Sequence, residues 1–135
     1  MSEYIIYSGT EPLTLTLCLE ENSILVSRAI LETLERPRQI QILINDDRKM
    51  LLLQACTIDD KEAVVIPREI MLEFEMSGHS LLKRIRRITG WTDNEPRVLY
   101  GNYFPSHQAI VFDLTQARLA ELRLPPDDMA LGEPN

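Results

Sequence analysis

Leu13, Leu15, Leu17 and Leu19 alternate with Thr14, Thr16 and Cys18. That period of two predicts a strand with one buried face. A shorter apolar run, Tyr4-Ile5-Ile6-Tyr7, precedes it across Ser8-Gly9-Thr10-Glu11-Pro12 and reads as another strand. Glu20-Glu21-Asn22 makes a turn, Ile24-Leu25-Val26 a third strand, and Ser27 is placed to cap a helix over 28–35. Ile30, Leu31 and Leu34 fall on one face of that helix, and Pro37 ends it. Ile40, Ile42 and Ile44 then alternate with Gln39, Gln41 and Leu43, Asn45-Asp46-Asp47-Arg48 turns the chain, and Met50-Leu51-Leu52-Leu53 returns. A hairpin is expected there.

The second half repeats the theme. Asp59-Asp60-Lys61-Glu62 is a loop, Ala63-Val64-Val65-Ile66 a strand closed by Pro67, and 68–76 fits either helix or strand. Ser77-Gly78 breaks the pattern before a helix over 80–89, with Ser80 as its cap, Leu81, Leu82, Ile85 and Ile88 on its apolar face, and Gly90 as its stop. A last hairpin pairs 97–103 with 109–114 around Pro105-Ser106-His107, and 115–122 fits a short helix. The pattern predicts an α+β fold: a small β-barrel or sheet of hairpins with two short helices. Strand–helix–hairpin units echo each other at 24–53 and 64–114. One domain is expected over 1–118, followed by an acidic tail, 119–135.

Composition changes little in this picture. Of 135 residues, 44% are hydrophobic and 26% charged, values typical of a globular domain. No apolar run is long enough to cross a bilayer, and the first residues lack the charged and apolar regions of a secretory signal. Two cysteines without metal-site spacing, Cys18 and Cys56, suit a reduced cytoplasmic setting. The net charge of −7 is unevenly spread. Residues 1–22 carry four Glu and no Lys or Arg, and 119–135 carry four acidic residues against Arg123. The segment 23–118 is neutral, so its arginines can act locally even in an acidic chain.

The basic run Lys83-Arg84-Ile85-Arg86-Arg87 sets several cations on one helix, a surface able to touch phosphates. Its plainer reading is a solvated face favoured by the helix dipole. Arg28, Arg36 and Arg38 flank the first helix, and scattered surface charge is the plainer reading there too. His79 and His107 have no carboxylate at helical spacing, and the pairs at 46–47, 59–60 and 127–128 lack the spacing of a calcium loop. Trp91 is expected to fold on the core. Tyr100, Tyr103, Phe104 and Phe112 could stack on bases, with core packing the plainer reading. No nucleotide-binding, nucleophile-elbow or zinc-protease motif occurs. Neither an enzyme, a cofactor nor a metal is expected.

Residues 24–53 resemble the swapped-hairpin barrel of the AbrB family of bacterial regulators, including MazE-type antitoxins. The likeness lies in Ile24-Leu25-Val26-Ser27, the helix from Arg28 to Leu34, Ile40 to Ile44, the link Asp46-Asp47-Arg48-Lys49, and Met50 to Leu53. Val64-Val65-Ile66-Pro67-Arg68-Glu69-Ile70 looks like the family's strand-into-helix step. Departures are Ser27 in place of Pro, Glu35 in place of the Gly after the helix, no Gly-Asp before the hairpin, and Leu31 and Glu32 where family members carry arginines. The resemblance implies a homodimer with interleaved strands, or tandem units that close one barrel within one chain. It also implies a transcriptional regulator that contacts duplex DNA, with Arg28, Arg38, Lys83, Arg84, Arg86 and Arg87 as the phosphate contacts. The competing expectation is an adaptor that binds another protein and uses its acidic ends for docking.

Overall fold

The leucine alternation folds as β1 (Thr14–Cys18), with Leu15, Leu17 and Leu19 buried and the threonines turned outward. Residues 11–56, 63–67 and 73–120 are described in this computed structural model. The expected strand at 4–7, the loop at 59–62, the residues 68–72 and the tail from 121 lie outside them. After β1 come β2 (Ser23–Ser27), a six-residue helix α1 (Arg28–Thr33), β3 (Gln39–Asn45), β4 (Met50–Ala55) and β5 (Val64–Val65). Then follow β6 (Glu73–Ser77), α2 (His79–Thr89), β7 (Arg97–Phe104), β8 (Ala109–Asp113) and β9 (Arg118–Leu119).

The strands pair antiparallel in the order β5-β3-β4-β8-β7-β1-β2-β6, a nearly closed eight-stranded barrel, with β9 added beside β7. The fold is mostly β, with two helices, one of them short. β7 turns the corner of the barrel. Residues Arg97 to Tyr100 pair with β1, whereas Gly101 to Phe104 pair with β8.

Two halves related by an approximate two-fold account for this order. The series β1-β2-α1-β3-β4 is repeated as β5-β6-α2-β7-β8, and the pairings among these strands have counterparts with one exception. The β3–β4 hairpin matches the β7–β8 hairpin, and β1 on β7 matches β5 on β3. The pairs β2–β6 and β4–β8 lie across the two-fold. Register agrees in detail. Asn45 matches Phe104, Lys49 matches Gln108 and Met50 matches Ala109, each 59 positions apart. Both hairpin turns end on a left-handed residue, Lys49 at φ 56° and Gln108 at φ 51°. In β2 and β6 the offset is 50, from Ser23 to Glu73, so the difference is taken up between strand and hairpin, where α2 is five residues longer than α1. One counterpart is missing among the described residues. β1 pairs with β2, but β5 does not pair with β6, and the barrel is open there.

The core fills from both halves: Leu15, Leu17, Ile24, Ile40, Leu51, Leu53, Leu99, Ile110 and Phe112 from strands, and Ile30, Leu34, Leu82 and Ile85 from helices. Each such burial is worth about 1.5–3 kcal/mol before conformational entropy is counted. The halves solve one packing position differently. Ile42 faces Leu53 across the first hairpin, and the matching pair in the second is Gly101 and Phe112. The larger ring of Phe112 occupies the space of the missing side chain.

Several local expectations are corrected. Ser27 stands at the N-cap of α1 but makes no cap bond; its Oγ accepts from Thr14 N–H at 3.3 Å instead. The second helix begins at His79 after Gly78, so Ser80 is inside it and not its cap. Gly90 is the left-handed stop, at φ 83°. Val64–Val65 pairs with β3, the helical half of the step expected after Pro67 lies outside the described residues, and a strand–helix step is described at β6–α2. No helix forms from 115 to 120. Asp113 accepts from Thr115 N–H and Oγ, which tightens Leu114–Gln116 into one 3-10 turn, and β9 follows. Ordered pairing thus runs into the start of the expected tail, with Ala120 N–H donating to Pro96 O.

A Cβ placed on Gly101 would fall on Ile110 Cγ2 and lie 2.6 Å from Phe112 Cε2. Gly101→Ala is therefore expected to destabilise the fold by about 1–3 kcal/mol, as overpacked cores do. Urea unfolding measures this, and an unchanged midpoint would show that the ring has room to move.

Candidate functional site

The end of α1 is built on two consecutive left-handed residues, Glu35 (φ 65°) and Arg36 (φ 52°). Glu35 N–H donates to Glu32 O at 2.9 Å and Arg36 N–H to Leu31 O at 2.7 Å, the paired bonds of a Schellman stop. It is this motif, one residue ahead of Pro37, that ends the helix. It turns Arg36 back toward the helix, where Nη2 reaches Glu32 Oε2 at 2.9 Å; Arg28 Nε donates to the same oxygen at 3.3 Å. Shared by two guanidinium groups, Glu32 has its carboxyl held below the usual range, chiefly by the hydrogen bond from Arg36.

Beside this turn lies a groove of about 580 Å3. Leu31, Val65 and Ile66, with Pro37 and Pro67, supply its apolar wall, and Arg28, Arg36 and Arg38 with Glu32 supply its charge. Three arginines against one glutamate leave it cationic. Val65 is 65% exposed, the most exposed large hydrophobic side chain among the described residues. The groove borders the opening of the barrel. Ile66 N–H donates to Arg38 O, so the alternation of an antiparallel ladder turns the N–H and C=O of Val65 away from β3. Among the described residues nothing pairs with that edge of β5. Gln39, opposite Val65 in the ladder, has its Oε1 buried without a hydrogen-bond partner among the described residues.

The six cations expected to touch phosphates are divided. Arg28 and Arg38 line the groove. Arg84 leaves α2 to meet Asp46 in the β3–β4 turn, with Nη2 at 2.8 Å. Arg86 is bound to the loop after α2, with Nη1 on Asp93 O and Nη2 on Asn94 Oδ1. Lys83 and Arg87 are exposed and have no ion pair among the described residues. Arg36, left aside as scattered charge, joins Arg28 and Arg38 in one place.

Sequence reasoning passed over Arg97. It is buried at the start of β7, stacked over the Trp91 ring at 4.6 Å, and bound to both Asp93 oxygens at 3.0 and 3.2 Å. The spacing Trp91-Asp93-Arg97 was the available signal, since a cation buried at a strand start needs a carboxylate or aromatic partner nearby. The cluster ties the α2–β7 loop to the start of β7, a structural role. The other candidates stay apart. His79 and His107 are exposed, and burial pushes the Cys18 thiol up. Phe112 is in the core and Tyr103 packs against it, while Tyr100 and Phe104 are about half exposed. Among the described residues no three potential ligands gather as a metal site, and no helix is long and apolar enough to cross a membrane. The sequence matches no family model, no curated protein and no solved structure.

Two outcomes follow. Glu35→Gly is expected to stabilise the fold by about 1 kcal/mol, because glycine adopts the left-handed C′ position without a Cβ penalty; thermal unfolding reads this, and no gain would mean the turn is unstrained. The Asp93 carboxyl is lowered from 3.8 to about 2, first by Arg97 and then by the Glu95 N–H. Its contribution to stability is complete above the ordinary carboxylate value and fades as pH falls through about 2. In Arg97→Met, the carboxyl carbon resonance should titrate closer to 3.8, and an unmoved midpoint would place the cause elsewhere.

Proposed function

We propose that this chain is a non-enzymatic interaction domain whose α1–β5 groove takes an extended, apolar segment with acidic flanks from a partner protein. The observation that carries the reading is the coincidence, in one place, of an apolar wall, an arginine rim and a strand edge that nothing pairs with among the described residues. Strand addition uses such an edge for affinity, with side-chain pockets for selectivity. Arginine suits the task because its planar fork meets carboxylates in two-point contact. The exposed ion pairs to Glu32 are weak enough to exchange for an incoming carboxylate.

The second reading is the DNA-binding regulator, in line with the AbrB-like strand–helix–hairpin units. Its specific support is that Lys83 and Arg87 on α2 remain exposed, while Arg28 and Arg38 flank α1, the equivalent helix of the other unit. Against it, Arg84 and Arg86 already have partners, and the net charge of −7 opposes approach to a polyanion.

One titration separates the two. Backbone amide resonances of the labelled protein are followed as an extended Val/Ile peptide with glutamate flanks is added to millimolar concentration, and in parallel a short duplex at low salt. The peptide is expected to shift amides in 28–38 and 63–67, with Arg36→Glu plus Arg38→Glu weakening it about tenfold or more, equal to roughly 1.4 kcal/mol. Silence of those amides at every peptide concentration sinks the groove reading. Salt-sensitive duplex binding abolished by Lys83→Glu with Arg87→Glu would put the DNA reading in its place.

A further inference from the structure

We infer, on the groove reading above, that the acidic group selected by the α1–β5 groove is a phosphoryl group, so that the partner's apolar segment binds when a residue flanking it is phosphorylated. The groups that set this preference are Glu32 and the three arginines around it.

The arginine rim already holds a carboxylate. Glu32 Oε2 accepts from Arg36 Nη2 at 2.9 Å and from Arg28 Nε at 3.3 Å. Each arginine is four residues away, one on either side, so this carboxylate is tethered to its partners. The hydrogen bond from Arg36, first of all, holds the carboxyl below its usual range, and it stays ionised at neutral pH. A glutamate or aspartate from a partner brings the same single charge and the same two oxygens. It exchanges with Glu32 like for like, and it comes from dilute solution while Glu32 is supplied by the chain at high effective concentration. A carboxylate ligand therefore gains little at these two guanidinium groups.

A phosphate monoester brings more than Glu32 does. It carries about −1.5 to −2 charges at neutral pH and three acceptor oxygens. Its bonds to guanidinium are charge-assisted and made two at a time. A third guanidinium is present for the third oxygen, since Arg38 lines the same groove. Among the described residues the lining sets Arg28, Arg36 and Arg38 against Glu32 alone, so one dianion brings the rim close to neutral.

The backbone prepares the rim for such a ligand. Arg36 N–H donates to Leu31 O at 2.7 Å, Arg38 O accepts from Ile66 N–H at 2.8 Å, and Pro37 fixes φ between them. Two cations two positions apart are thus tied to both walls of the groove, which leaves less chain to order on binding. The Arg28 and Arg36 side chains are more than half exposed, so a ligand reaches them from solvent. The apolar wall of Leu31, Pro37, Val65, Ile66 and Pro67 favours a peptide over a bare anion, because it gives the aliphatic neighbours of the modified residue a place to pack. A nucleic acid fits less well. Its diester phosphates carry one charge each, no more than Glu32, and bring no aliphatic flank.

The test is an amide-resonance titration of the full chain, in which the glutamate-flanked Val/Ile peptide is compared with versions carrying serine or phosphoserine in place of its glutamates. Phosphoserine is expected to bind about tenfold or more tightly than glutamate, with shifts in 28–38 and 65–67. Its affinity should fall as pH drops through about 6, where the phosphate loses its second charge. Nothing else in the described lining titrates there, since the arginines stay charged and the Glu32 carboxyl is held below its usual range. In Glu32→Gln the resident carboxylate is gone, and the glutamate peptide should tighten about threefold. In Arg36→Glu plus Arg38→Glu the preference for phosphoserine should be lost. Phosphoserine binding no tighter than glutamate overturns the inference and leaves the groove reading intact. A flat profile between about pH 5 and 7 also overturns it, because the second charge then plays no part. Inorganic phosphate, or vesicles containing phosphatidic acid, that shift the same amides as strongly as the phosphopeptide overturn it in favour of a free anion or a membrane. Silence of 28–38 and 65–67 with every peptide removes the groove reading itself.

Discussion

Pairing between the two halves, not within them, is the constraint on which the rest of the molecule depends. The first unit's β1 lies on the second unit's β7, and the second unit's β5 lies on the first unit's β3. β2–β6 and β4–β8 join the halves again. Each half by itself would hold only one or two hairpins, with Leu15, Leu17, Leu51 and Leu53 facing water. A lone hairpin is marginal in water. The buried faces are covered only when the halves interleave. Such long-range pairing carries a loop-closure cost and places the fold among slow folders.

Where the halves differ, the surface acquires its features. α2 has 11 residues, long enough to bury Leu82 and Ile85, bring Arg84 to the β3–β4 turn and tie Arg86 into the loop that follows. α1 has six and stops at the left-handed pair Glu35–Arg36. The shorter helix leaves Leu31, Val65 and Ile66 around a cavity, on the side where, among the described residues, β5 and β6 do not pair. The groove is what remains when one copy of a repeated unit is abbreviated. The backbone there is costly as well, since left-handed residues other than glycine are tolerated where surrounding structure holds them. In the matching position after α2 the chain has Gly90.

Much of the barrel was legible because its strands announce themselves in period two. The alternations at 13–19 and 39–44, the returns at 50–53 and 109–114, and the Gly90 stop all describe the folded chain closely. The echo of two units was visible as well, but not its boundaries. Val64–Val65 resembles a strand entering a helix, and only its pairing with β3 reveals it as the counterpart of β1. Caps misled for a related reason. Ser27 and Ser80 carry suitable side chains, yet β1 claims the Ser27 hydroxyl and the backbone turn at Gly78 starts α2 one residue before Ser80. Pairing partners far along the chain decide such points.

Charge was the least legible property, because a residue's type does not say what it meets. Arg84 and Arg86 belong to the most basic run in the chain, and both are held by acceptors far outside it: Asp46, and the backbone and Asn94 beyond the helix. Arg97, isolated in sequence, is the one buried most deeply of the described arginines. Arg28, Arg36 and Arg38 looked scattered along a helix and its exit, and the Schellman stop gathers them. Glu32, which Arg28 and Arg36 share, is informative in this respect. Among the described residues the groove's lining sets one carboxylate against three guanidinium groups, within a chain whose net charge is −7. A local field opposite in sign to the whole molecule is selective. It repels little and attracts only at short range, within a Debye length of about 8–10 Å. A ligand drawn by it must already be close.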